Sequence, residues 1–173
     1  VAFRCIAYTP VEIEKRRLLA FSWRFDRAHR SLFPVIFGSQ IRQPGVFWHN
    51  IGAADNDWWS HLKAHQEITA SFDCAPGDEG ERILKSYVSG DTVLAYAKGF
   101  GAIGFAIVEN PSGYKLLSPG DKDDVLNGQH LHRLPVKWKA VAPHLNEAIT
   151  PKELRGTYDI YHPISTSVPV DAA

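Results

Sequence analysis

The 173-residue chain contains no methionine, only two cysteines and no excess of either charge, with 19 Lys and Arg against 19 Asp and Glu. Two cysteines, Cys5 and Cys74, are too few for a disulfide framework, which points to a reducing, cytoplasmic setting. No stretch approaches the roughly eighteen consecutive apolar residues that cross a bilayer, so no membrane partner is expected. No charged-then-apolar leader opens the chain, and a start at Val1 without any methionine points to a trimmed or partial polypeptide. With 45% hydrophobic and 22% charged residues, intrinsic disorder is excluded, and the length suits one cored domain with an appendage.

A net charge of zero, taken whole, argues against a nucleic-acid binder, which should carry a positive footprint. The charge is unevenly spread, however. Residues 1–44 hold eight basic groups against three acidic ones, and the remainder holds 11 against 16. The zero is a cancellation between a basic N-terminal region and an acidic body. Within the basic region, Thr9, Pro10 and Glu12 form a helix-opening signature. Val11, Leu18, Phe21, Phe25, Ala28 and Leu32 follow at helical spacing up to Pro34. Two readings of this helix stand: a docked helix with a solvated basic face, or a phosphate-contacting arm in which Arg24 and Arg27 take part.

Pro44-Gly45 breaks the pattern and divides a helical extension, residues 1–44, from a folded body, residues 45–173. In the body, VFWHNI reads as a strand, and Asp55 to Asp57 offer caps for a helix running to about Gln66. Ile68 to Phe72 reads as a strand and Glu79 to Tyr87 as a helix. TVLAYA and AIGFAIVE read as adjacent strands around Lys98-Gly99-Phe100-Gly101, with Gly104 permitting a bend or a close approach. Gln129 to Val141 reads as one long strand, Thr150-Pro151 opens a short helix, and the tail is extended. Short strands and helices with no regular βαβ period predict an α+β fold, a small mixed barrel.

Enzyme signatures are missing. There is no Walker loop, nucleophile elbow or zincin motif, and Gly99 to Gly104, which spells G-x-G-x-x-G, opens no helix that could hold a pyrophosphate. No cofactor is expected. His61 and His65 stand one helical turn apart, and His130 and His132 face the same side of a strand, so a four-histidine site is conceivable; two ligands alone make no structural zinc site, and solvent-facing or hydrogen-bonded histidines are far commoner. Cys74 has no neighbouring base, and Asp121, Asp123 and Asp124 lack EF-hand spacing. The aromatic residues say more. Trp48 shares a strand with Asn50, Trp58 and Trp59 follow at once, and Tyr96 and Phe100 flank a turn. Rings converging with an amide are what an unstacked base needs, although tryptophans in a small barrel are also core residues.

Residues 45–165 resemble an EVE-type domain of the PUA-like superfamily, to which YTH and ASCH domains also belong. The resemblance is carried by GVFWHNIG with the Trp-containing helix after it, by EITASFD, by SGDTVLAYAKGFGAIGFAIVE and by HRLPVKW. It implies a PUA-like β-barrel with short peripheral helices that accepts a flipped, modified base in an aromatic pocket. By analogy Trp48, Asn50, Trp59, Tyr96 and Phe100 line that pocket, and Lys98, His132, Arg133, Lys137 and Lys139 contact the nucleic-acid backbone. The partner it implies first is modified DNA carrying methylated or hydroxymethylated cytosine, read by the sensor of a restriction system with a fused or partnered nuclease. Structured or modified RNA is the alternative. The basic helix lies outside the match, and the net acidic body is unusual for a duplex binder.

Overall fold

The computed structural model describes residues 42–163 and 165–170. The N-terminal helix expected before Pro34, with Arg24 and Arg27, lies outside the described residues.

Strand β1 (Val46–Ala53) alternates its side chains across a sheet, so Phe47, His49 and Ile51 share one face and Trp48 and Asn50 the other. Asp55 then caps helix α1 (Asn56–His65), its carboxylate accepting from the Trp58 amide at 2.7 Å. Gln66, in the left-handed region at φ 53°, ends that helix. Strand β2 (Glu67–Ala70) follows at once and is buried throughout. Helix α2 (Glu79–Lys85) starts on Asp78, which accepts from the Glu81 amide. Strands β3 (Thr92–Lys98) and β4 (Gly101–Ile107) form the expected antiparallel hairpin.

Gly104 serves a close approach rather than a free bend. A Cβ there would lie 2.8 Å from the Ala140 carbonyl oxygen of the neighbouring strand. The predicted single strand from Gln129 to Val141 is in fact two: β6 (His132–Pro135) and β7 (Lys137–Val141) belong to different sheets. The break falls at Pro135-Val136, where the Val136 amide donates to the Gln66 carbonyl at 2.7 Å. Thr150 caps helix α3 (Pro151–Tyr158) with Pro151 in its first turn, as the sequence signals.

With β5 (Lys115–Leu116) and β8 (Ser167–Pro169), the strands form a five-stranded sheet in the order β7-β4-β3-β1-β8 and a three-stranded sheet β2-β6-β5. The fold is mixed α+β. One arrangement departs from the sequence reading: β1 and β3 run parallel, with Trp48 opposite Leu94 and Asn50 opposite Tyr96. The connection between them carries α1, β2 and α2, so a crossover exists although no repeated βαβ period announces it. The core has two lobes. Ile51, Trp59, Leu62, Ala95, Ile103 and Leu145 form one, and Ile68, Leu84, Tyr87, Val93, Ala106 and Leu134 the other.

Candidate functional site

Between the two sheets runs a chain of polar side chains. His49 Nε2 donates to the Thr69 carbonyl oxygen at 2.9 Å, because a carbonyl can only accept. That fixes the tautomer: Nδ1 carries no proton and accepts from the Tyr87 hydroxyl at 3.0 Å, and Tyr87 in turn accepts from Ser167 Oγ at 2.8 Å. Thr69 also presents its hydroxyl to His130 Nδ1 at 3.1 Å. Burial pushes His49 down to about 4, and burial with the nearby Arg133 charge pushes His130 down to about 4 as well. Both are neutral at pH 7.

His130 opens onto a second group. Trp58, His61 and His65 lie on one face of α1 at three- and four-residue intervals and stack as a column. The Trp58 and His61 rings are 5.4 Å apart and 13° from parallel, and the His61 and His65 rings are 4.0 Å apart. The Arg133 guanidinium lies over Trp58 at 4.9 Å, and the His130 ring tilts against it at 5.6 Å. Arg133 Nη1 donates to Glu67 Oε1 at 2.8 Å, and Nη2 donates to the Asp123 carbonyl at 3.2 Å. Burial pulls Arg133 below its ordinary value, and the Glu67 carboxylate beside it opposes that. His61 is lowered by burial first, then by His65 and Arg133.

This group is polar, buried and incompletely satisfied. Among the described residues, the buried side-chain atoms without a hydrogen-bond partner are Trp48 Nε1, Trp58 Nε1, His61 Nε2 and Arg133 Nε. Two of the four belong to the Trp58 column and a third, Arg133 Nε, to the side chain lying over it. His61 Nε2 is 3.6 Å from Glu67 Oε1, too far for a hydrogen bond. Each buried polar atom left without a partner costs about 1–3 kcal/mol, and Trp58 Nε1 and Arg133 Nε, which can only donate, lack acceptors.

The residues expected to line a base pocket fall into three places. Trp48 and Tyr96 do meet, edge to face at 6.1 Å, and Asn50 sits beside Tyr96 across the β1–β3 pair. His162 stacks on Tyr96 at 5.9 Å. Asn50, however, spends its side-chain oxygen on the Gly52 amide at 2.9 Å. Trp59 is on the opposite side of the sheet, fully buried in the core, with its indole N–H on the Ala142 carbonyl at 2.7 Å. It is a packing residue. Phe100, 37% exposed, stands at the β3–β4 turn.

Of the expected backbone contacts, Lys98, Lys137 and Lys139 are exposed. Lys137 and Lys139 both lie within 4 Å of Glu109. His132 and Arg133 are not surface groups at all; both are fully buried. His132 bridges the Tyr114 hydroxyl at 2.8 Å and the Asp78 carboxylate at 2.9 Å, which couples β6 to the cap of α2. Glu67 and Thr69 were missed by sequence reasoning, and His130 was noted only as a possible metal ligand. The sequence signals for this region were the His61–His65 spacing, His130 and the Trp58-Trp59 pair.

No family model matches the chain, and no curated protein matches it. Among solved structures it is similar to the Mmi1 YTH domain in complex with RNA, at 17% identity and a TM-score of 0.38, over 56% of this chain and 54% of that one. It is also similar to the YTH domain of Zygosaccharomyces rouxii MRB1 in complex with N6-methyladenosine RNA, at 15% identity and a TM-score of 0.39. The second match covers 61% of this chain and 66% of that one.

Proposed function

We propose that the chain is a nucleic-acid reader that holds a modified nucleobase at the edge of Trp58, with Trp58 Nε1 and Arg133 Nε donating to acceptors on the edge of the base. The observation that carries this reading is the set of buried donors without partners around one stacked column. A nucleobase supplies what those N–H groups lack, ring and carbonyl acceptors on its edge. Neutral His130 adds a group able to donate or accept at the same place. In this reading the protein acts by binding. Exposed Lys98, Lys137 and Lys139, and the basic extension with Arg24 and Arg27, supply backbone attraction.

Modified DNA and a nuclease partner draw on the sequence resemblance alone. Recognition of edge acceptors serves RNA and DNA equally, so both are arms of one test. Labelled RNA with and without N6-methyladenosine, and labelled DNA with and without 5-methyl- or 5-hydroxymethylcytosine, are titrated against the full chain at fixed salt. The expected result is preference for the modified member of at least one pair. That preference falls in Trp58→Ala, which removes the indole N–H and with it a hydrogen bond contributing about 0.5–1.5 kcal/mol. Equal weak binding across every pair, unchanged by Trp58→Ala, overturns the reading.

A further inference from the structure

We propose that His61, His65 and Glu67 form a binding site for one transition-metal dication of the zinc type. A ligand atom from each of the three lies within 4.8 Å of the other two, close enough to share one ion. The fold puts them there. His61 and His65 are one turn apart on α1, Gln66 turns the chain through the left-handed region, and Glu67 opens β2 directly beneath. The turn at Gln66 is what brings the carboxylate back towards the last turn of the helix.

A further observation favours an ion over a merely structural cluster. His61 Nε2 is buried and has no hydrogen-bond partner, so an electron pair or proton there is unmatched. His65 is exposed, so its ring can turn to meet a ligand without disturbing the core.

The donor set selects the metal. Two imidazoles and one carboxylate suit Zn(II), Co(II) or Ni(II) at tetrahedral or slightly expanded coordination, and do not suit Ca(II) or Mg(II), which require oxygen ligands. Three protein donors leave a position for water. The carboxylate is already shared: Arg133 donates to Oε1, and Lys115 Nζ lies 4.0 Å from Oε2. Two cations beside the same carboxylate weaken its pull on a dication, so the site is a weak one, open to exchange. Metal binding here does not depend on nucleobase binding, and neither fails with the other.

The full chain, stripped with a chelator, is titrated with Co(II) and followed by visible absorption, then challenged with Zn(II). One Co(II) per chain, displaced by Zn(II), is expected. His65→Ala, which removes an exposed side chain and leaves the fold intact, weakens binding by more than the roughly 10–100-fold lost when an outer-shell partner is removed. Glu67→Gln weakens it too, with circular dichroism confirming that the variant is folded. His144→Ala and His162→Ala, outside the cluster, leave it unchanged. Absence of stoichiometric Co(II) binding overturns the proposal, as does binding that persists undiminished in His65→Ala.

Discussion

His49 donates from Nε2 to the carbonyl oxygen of Thr69, 2.9 Å away, and thereby joins the five-stranded sheet to the three-stranded one. Because Nδ1 then accepts from Tyr87, the imidazole can take a second proton only if that bond reverses, with the Tyr87 hydroxyl turning to donate to Ser167 Oγ.

Stability should therefore fall as the pH is lowered through the histidine range. The folded-state values of His49 and His130 are about 4, below the ordinary 6.5, so the unfolded chain takes up protons first. The contribution is complete above pH 6.5, declines between 6.5 and 4, and levels off below. A shift of this size corresponds to roughly 3 kcal/mol for His49 and somewhat less for His130, which is less buried. Urea unfolding at several pH values checks it. The loss between pH 7 and 5 should shrink in His49→Phe, and a midpoint independent of pH sinks the idea.

Trp58 and Trp59 are neighbours in sequence with opposite hydrogen-bond states, so the same substitution should act differently on them. Trp59→Phe strands the Ala142 carbonyl and removes core volume, costing about 2–4 kcal/mol. Trp58→Phe removes a buried donor that has no partner, and that relief offsets much of the lost packing. Its cost should stay below about 1.5 kcal/mol, while nucleobase affinity declines through the missing N–H. Thermal unfolding of the two variants side by side decides it. Equal destabilisation would falsify the assignment of Trp58 Nε1 as unsatisfied.

How much of this was legible depends on how local each cause is. Asp55, Thr150 and Pro151 act within one helical turn, so their caps can be read directly. The β3–β4 hairpin is equally local. The burial of His132 and Arg133 is not, because their partners Asp78, Tyr114 and Glu67 come from distant segments. Read alone, His132 and Arg133 look like a basic surface strand. Compensated by those partners, they are interior groups. The same holds for Trp58 and Trp59: choosing between them needs the direction from which Arg133 and His130 approach, and that is set by a loop some seventy residues away. The split of residues 129–141 into two strands depends on the Gln66 carbonyl, again a distant partner.

The Arg133–Glu67 pair should be costly to break and cheap to replace. Arg133→Met leaves a buried carboxylate whose remaining neighbours are His61 Nε2 at 3.6 Å and Lys115 Nζ at 4.0 Å, and Glu67→Gln leaves a buried guanidinium. Each single change should cost about 3–5 kcal/mol. The double change Glu67→Leu with Arg133→Met removes both charges and should recover most of that loss. A double-mutant cycle in urea reads the coupling directly. Additive single effects, with no recovery in the double variant, overturn the account of a mutually compensated pair.

The turn between β3 and β4 carries two glycines with positive φ, and only one of them should be irreplaceable. Gly99 has φ +88° and open space within 4 Å of where a Cβ would stand, so Gly99→Ala meets only the left-handed backbone cost of roughly 1–2 kcal/mol. At Gly101, φ is +135° and a Cβ would lie 2.0 Å from the Ile149 carbonyl oxygen. That oxygen accepts from the Ala102 amide at 3.0 Å, and the Ile149 amide returns a bond to the Ala102 carbonyl at 2.9 Å. Accommodating a methyl group means parting this pair, which holds the start of β4 against the segment just before Thr150. Gly101→Ala should therefore lose both bonds as well as incur backbone strain, and should unfold several degrees below Gly99→Ala in a thermal melt. Equal melting temperatures would mean that the segment before α3 gives way freely, and that its pairing with Ala102 contributes little to the fold.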